Sequence, residues 1–223
     1  MTFEEIIIDI GKRMYQAGFV AGNDGNISIR TGENSVLATP SGVSKGFMTG
    51  DMLVTVDMEG NVIKGDRKPS SELKMHLAAY RQNTKLKSVC HAHPPVSTAL
   101  GIAGIPVKLP ILAETVLTLG EVPVLPYMTL GSKELADGII PYCTSHGGVI
   151  LAHHGLTTWA DDPYTAYYRM ESVEHYAKIY MYCKQLGQLN VLDKKSIEEL
   201  IAQRDKFGID ITAGPFDGNQ GKK

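Results

Sequence analysis

Four of the seven histidines in this 223-residue chain fall into two tight pairs, His91-Ala92-His93 and His153-His154. On a β-strand, residues two apart point to the same face. The imidazoles of His91 and His93 can therefore converge on one metal ion. Pro94-Pro95 follows at once and ends a strand, which puts the pair at a strand end, a common place for sites in α/β folds. Val149-Ile150-Leu151-Ala152 reads as a buried strand running into His153-His154-Gly155. Neighbouring strand residues face opposite ways, so one of these two histidines, not both, can join a common site. Three imidazoles would make an open three-ligand centre that leaves room for water or substrate. The simpler alternative is polar side chains that satisfy loop hydrogen bonds. His76 reads as a packed or capping residue, and His146 and His175, without partners in sequence, as structural.

Glu72 follows Pro69-Ser70-Ser71 at the expected start of a helix. An acid there is favoured by the helix dipole alone, by about 0.3–1 kcal/mol. Yet a helix N-terminus with two hydroxyls is also an anion site. Two other segments could join it, Gly25-Asn26-Ile27-Ser28 and Thr39-Pro40-Ser41-Gly42. Small residues, free backbone N–H groups and hydroxyls suit a phosphate.

Several elements must position these groups. Phe3, Ile6, Ile7, Ile10 and Met14 predict an amphipathic helix over 3–17. Strands are expected at 27–29, 35–39, 52–57, 61–64, 86–93, 122–126 and 148–153. Helices are expected to about 82 from the Ser70-Ser71 cap, to about 103 after Pro95, over 132–144, from Asp161 to about Leu186, and over 193–206. Strands and helices alternate without a linker or repeat, which predicts a single α/β domain over 1–206. The glycine-rich end, 207–223, is expected to be a flexible tail.

Composition narrows the function classes. The 22 Lys+Arg against 24 Asp+Glu leave a net charge of -2, without the clustered basic excess of a nucleic-acid binder or a membrane-surface protein. No apolar run is long enough to span a membrane, and the acidic N-terminus does not read as a secretory leader. Three scattered cysteines, Cys90, Cys143 and Cys183, form neither a disulfide framework nor a CxxC zinc site. A cytoplasmic location is the expectation. Cys90, one residue from His91, should point to the opposite face and into the core.

As an ordered set these residues resemble the class II aldolase/adducin family, L-fuculose-phosphate aldolase type. The blocks are Gly25-Asn26-Ile27-Ser28, Thr39-Pro40-Ser41-Gly42, Ser70-Ser71-Glu72, His91-Ala92-His93 and His154-Gly155, with Tyr127-Met128-Thr129-Leu130-Gly131-Ser132 as a sixth. The resemblance runs from about Phe3 to Phe207. It implies a three-layer α/β/α sandwich around a mainly antiparallel sheet, and a homotetramer with active sites between subunits. It implies Zn2+, one per subunit with Co2+ or Mn2+ as substitutes, held by His91, His93 and His154. Glu72 would ligate the resting metal and act as acid/base. Asn26, Ser41, Gly42, Ser70 and Ser71 would hold the substrate phosphate. The implied reaction cleaves a ketose 1-phosphate to dihydroxyacetone phosphate and an aldehyde. The substrate would be L-fuculose 1-phosphate or a related deoxy or methylthio pentulose 1-phosphate.

Two features depart from the family pattern. His153 stands where some members have Asn, and is expected to orient a ligand. The tyrosines that some members use as acids find no counterpart between Ile105 and Pro126; Glu114 and Tyr127 are the candidates to serve a neighbouring subunit's site. Family rivals are a ribulose-phosphate 4-epimerase, which carries Asp where Glu72 stands, and a methylthioribulose-phosphate dehydratase. A decarboxylase branch also exists, but nothing in the sequence points to a carboxylate-binding site. An adducin-like assembly module, the reading from a different class, lacks the metal set that this chain retains.

Overall fold

The computed structural model describes residues 1–212. Helix α1 (Phe3–Gln16) opens with a reciprocal cap: Glu5 N–H donates to the Thr2 hydroxyl, and Thr2 N–H to the Glu5 carboxylate. Its apolar stripe, Ile7, Ile10 and Met14, is fully buried. The strands are β1 (Asn26–Gly32), β2 (Ser35–Ala38), β3 (Val54–Val56), β4 (Val62–Lys64), β5 (Ser88–Ala92), β6 (Val124–Leu125), β7 (Gly148–Leu151) and β8 (Gly155–Ala160). They form one sheet in the order β4-β3-β2-β1-β5-β8-β7-β6. All neighbours are antiparallel except β6 and β7. The other helices are α2 (Leu73–Gln82), α3 (Pro95–Ile102), α4 (Ala113–Thr118), α5 (Lys133–Gly138), α6 (Pro163–Leu186) and α7 (Lys194–Ile201).

Strand alternation sorts the side chains into two cores. Ile27, Ile29, Leu37, Cys90 and Ala92 pack with α1 and α6 on one face. Val36, Ala38, Val56, Val89 and Trp159 pack with α2 and α5 on the other. The result is the expected α/β/α sandwich with a mainly antiparallel sheet. Asn26, Ser28 and His91 stand on the α2 side, where Asn26 pairs directly with His91 across β1 and β5. Cys90 points into the opposite core, and burial pushes its thiol up to about 12.

Several expected boundaries shift. The strand over 52–57 shrinks to β3, because Gly50–Met52 coils as a 3-10 turn. The helix over 132–144 divides into α5 and a 3-10 turn at Ile140–Tyr142, where Pro141 has no N–H to continue the ladder. The last helix stops at Ile201. The long helix begins at Pro163 with Asp162 as its cap, and ends at Gly187 in the left-handed region. Elements β8 and α4 lie where no element was expected. The stretch after Arg204 is tied to the body up to residue 212: Arg204 donates to Ile211 C=O, and Thr212 N–H to Ser145 C=O. Of the expected flexible tail, 213–223 lie outside the described residues. Among the described residues no helix is long and apolar enough to cross a membrane.

Candidate active site

Two strand ends and one helix start meet on the α2 side of the sheet. His91 lies near the end of β5 and His93 just beyond it, so the strand pleat turns both rings the same way. His154 arrives from the turn Ala152-His153-His154 that joins β7 to β8. Strand alternation is not what separates the two adjacent histidines. His153 takes a left-handed backbone (φ 57°), which reverses the chain and sends its side chain out to solvent while His154 turns in. Gly155 completes the approach, since a Cβ there would stand 2.4 Å from Ala92 O and 2.6 Å from His93 Cδ2. Only glycine lets β8 carry His154 this close to β5.

The three imidazoles have ring centroids 4.5–5.2 Å apart, and one ring nitrogen from each lies within 4.8 Å of the others. Burial pushes the pKa of His91 well down, against the opposing pull of Glu72. His93 is lowered too, by burial and then by His154, with Asp24 and Glu72 opposing. Both rings are therefore neutral near pH 7, with a lone pair to give. The tautomers follow from their partners. His93 Nδ1 faces Asp24 Oδ2 at 3.3 Å, and a carboxylate can only accept, so Nδ1 carries the proton. The Thr157 hydroxyl donates to Met75 Sδ and accepts from His91 Nδ1 at 2.9 Å. In His91 and His93 Nε2 is left bare, buried and without a hydrogen-bond partner; in His154 the buried unpartnered atom is Nδ1, while Nε2 faces Glu72. Buried polar atoms left unpaired are uncommon and costly. Here the orphaned Nε2 atoms of His91 and His93 lie in a cluster where all three rings can turn a nitrogen to one point, which is the donor set a divalent cation needs. The residues fit a metal.

Glu72 completes the centre. It sits at the cap position of α2 rather than inside the first turn, and its side chain makes no cap hydrogen bond. The carboxylate instead reaches back to the histidines, with Oε2 3.4 Å from His91 Nε2 and Oε1 2.9 Å from His154 Nε2. The latter contact lacks hydrogen-bond alignment, and Oε1 remains unpartnered. Asn26 Nδ2 donates to Oε2 at 2.8 Å. Burial pushes the Glu72 carboxyl up, but His91, His154 and the Asn26 bond outweigh it, and the acid lies well below the usual carboxylate range. Glu72 is thus ionised beside the buried, neutral His91.

A polar cleft opens beside this cluster. Its walls bring together all five residues expected at a phosphate, Asn26, Ser41, Gly42, Ser70 and Ser71, with Glu72, His93 and His154. Ser41 N–H bonds to Lys68 C=O, which holds the second and third segments side by side. The Ser70 hydroxyl accepts from Glu72 N–H at 3.3 Å, leaving its own proton free for a ligand. Asp24 and Thr157, which set the tautomers, were not picked out from the sequence. Asp24 precedes the Gly25-Asn26-Ile27-Ser28 block, and Thr157 lies on the unrecognised β8. The remaining candidates lie apart from the three rings. His153 is exposed, with its ring 6.5 Å from that of the exposed Tyr127, and Glu114 is exposed on α4. His76 is fully buried, with Nδ1 2.8 Å from Ser28 Oγ, consistent with packing beneath the site.

Comparison with known proteins agrees with this geometry. The family model described as "Class II Aldolase and Adducin N-terminal domain" matches residues 5–181. The chain is 34% identical over 206 residues to 5-deoxy-D-ribulose 1-phosphate aldolase of Bacillus thuringiensis serovar kurstaki, covering 92% of this chain and 96% of the relative. It is 33% identical to 3-oxo-tetronate 4-phosphate decarboxylase of Haemophilus influenzae, covering 79% and 86%. Among solved structures, an L-fuculose 1-phosphate aldolase superposes with a TM-score of 0.83 at 30% identity, covering 92% and 95% of the two chains. A whole-domain match and a metal-capable histidine cluster lead to one conclusion: this chain belongs to the class II aldolase and adducin family, and is one of its enzymes.

Proposed function

We propose that the enzyme is a divalent-metal-dependent aldolase. It would reversibly cleave a 5-deoxy or methylthio pentulose 1-phosphate, or L-fuculose 1-phosphate, to dihydroxyacetone phosphate and an aldehyde. The observation that carries this is the meeting of three imidazoles, each offering a ring nitrogen within 4.8 Å of the others, and an ionised carboxylate at the edge of a hydroxyl-lined cleft. The near full-length match to a relative named as a 5-deoxy-D-ribulose 1-phosphate aldolase supports the substrate class.

His91, His93 and His154 would hold the ion; Zn2+ suits three neutral nitrogens, with Co2+ or Mn2+ as substitutes. When bound it supplies Lewis acidity toward the substrate's oxygens. Asn26, Ser41, Gly42, Ser70 and Ser71 bind the phosphate and set the distance from it to the reacting carbons. Glu72, held by Asn26, takes the proton released in one direction and returns it in the other. Tyr127, Glu114 and His153 are proposed to act on the aldehyde side or on a neighbouring subunit's site. The enzyme is proposed to work as a cytoplasmic homotetramer.

Glu72→Gln should slow cleavage by roughly 10²–10⁴-fold. Inhibition by inorganic phosphate should stay within about threefold, well under the tenfold that about 1.4 kcal/mol represents. Equal loss of both would remove the proton-transfer role. A second reading, decarboxylation of a 3-oxo-tetronate 4-phosphate, is favoured by the relative of that name. One assay panel separates the two. Release of dihydroxyacetone phosphate from fuculose, 5-deoxyribulose or methylthioribulose 1-phosphate supports the aldolase. Release of CO2 from the oxo acid, with none of the ketoses cleaved, overturns it.

A further inference from the structure

Among the described residues, the cleft wall has two carboxylates, Asp24 and Glu72, but no lysine or arginine. A substrate phosphate would enter a site with little fixed positive charge beyond the metal. The buried Lys45 lies just behind this wall, and the mechanism above does not use it. Its side chain is 1% exposed, and Nζ donates to Asn23 C=O at 3.0 Å and Val43 C=O at 2.5 Å. Asn23 begins the segment that carries Asp24, Gly25 and Asn26. Val43 follows Ser41-Gly42 directly. One ammonium therefore ties together two of the three segments that form the cleft. The backbone of Lys45 is wedged against α1 at Gly11, where a Cβ would lie 2.6 Å from Lys45 O.

This burial is costly. An ammonium removed from water with only carbonyls for partners loses hydration, and an apolar side chain of the same length would pack there without that loss. Burial pushes the ammonium down to about 8, with Asp24 opposing, so it remains largely a cation at neutral pH. Lysine contributes what methionine cannot, a charge and donors that bridge two segments.

We propose that Lys45 is a positioning residue for the anionic end of the substrate. Its ammonium locks the 23–26 and 41–43 segments into one cradle and supplies positive potential that the cleft wall lacks. The inference rests on reading the cleft as the phosphate subsite.

The test uses the metal-loaded full chain with inorganic phosphate as competitive inhibitor. In Lys45→Met, the inhibition constant and KM should both rise roughly tenfold or more, as for loss of a bond to a charged group. The kcat should change less than about threefold, and bound metal per chain should not change. Lys45→Arg, which keeps the charge, should recover most of the phosphate affinity. Unchanged inhibition in Lys45→Met overturns the proposal, and equal weakening in Lys45→Arg assigns the effect to packing and overturns it too. Should Lys45→Met fail to fold, amide hydrogen exchange of the parent decides: phosphate should slow exchange at 23–26 and 41–45 together. Protection confined to 70–72 overturns the proposal. If phosphate neither inhibits nor protects the parent, the phosphate-subsite reading itself fails.

Discussion

The chemistry at the level of single residues rests on which ring nitrogen is bare. Asp24 and Thr157 hold the Nδ1 atoms of His93 and His91, and Nε2 of each is left for a ligand. Such outer partners typically contribute 10–100-fold to metal affinity. Asp24→Ala should therefore weaken metal binding by roughly that factor, read by competition with a chelator; unchanged affinity would show that the 3.3 Å contact does not orient the ring. His76 makes a separate prediction. Burial lowers it from 6.5 to about 4, with Glu72 opposing. Between these values the unfolded chain binds more protons than the folded one, so stability rises with pH in that window and falls as pH drops from about 6.5 toward 4. The linkage is worth about 3 kcal/mol. Denaturant unfolding at a series of pH values should show this slope, and His76→Gln should flatten it.

Among the elements, close approach of strands matters more than propensity. The β7–β8 turn delivers His154 because His153 accepts a left-handed backbone and Gly155 has no Cβ. Gly155→Ala would push into Ala92 and the His93 ring. Overpacking of this kind costs about 1–3 kcal/mol, and here the strain falls on two metal ligands. The melting temperature should drop and metal affinity should fall with it; a drop in stability alone would mean that the strain relaxes away from the site. The start of α2 shows the same dependence on placement. Glu72 at an ordinary first-turn position would serve the helix dipole. At the cap it is free to reach across the sheet to His91 and His154.

For the whole molecule, three separate parts of the sheet and one helix start share the centre, so metal binding should be coupled to folding. A ligand that binds only the folded state stabilises it by about 2.7 kcal/mol at a hundredfold excess over its dissociation constant. Chelator-treated protein should melt lower than untreated protein, and Zn2+ should restore the difference. Identical melts with and without chelator would mean that the histidine cluster holds no ion under those conditions. A single mixed α/β domain was legible in the pattern of strands and helices, whereas the three layers and the mainly antiparallel sheet followed from the family resemblance; both sheet faces carry an apolar core. What was missed, β8 and α4, has no comparable pattern. All six β8 residues are buried, so their burial shows no two-residue period, and α4 is shorter than two turns.

The sequence by itself determined the chemistry on offer: a His-x-His on a strand end, a second histidine beside a glycine, an acid after two serines, and small polar turns suited to an anion. Those are local properties, set by residue type and by the two periods of backbone structure. Only the tertiary structure decided which of the two adjacent histidines turns inward, that Glu72 leaves its helix cap to face the rings, that Asp24 and Thr157 fix the tautomers, and that a buried lysine ties two loops together. Apart from the local backbone turn at His153, these depend on contacts between residues distant in sequence. Such contacts come from the register of β1 on β5 and β5 on β8, which no local pattern encodes.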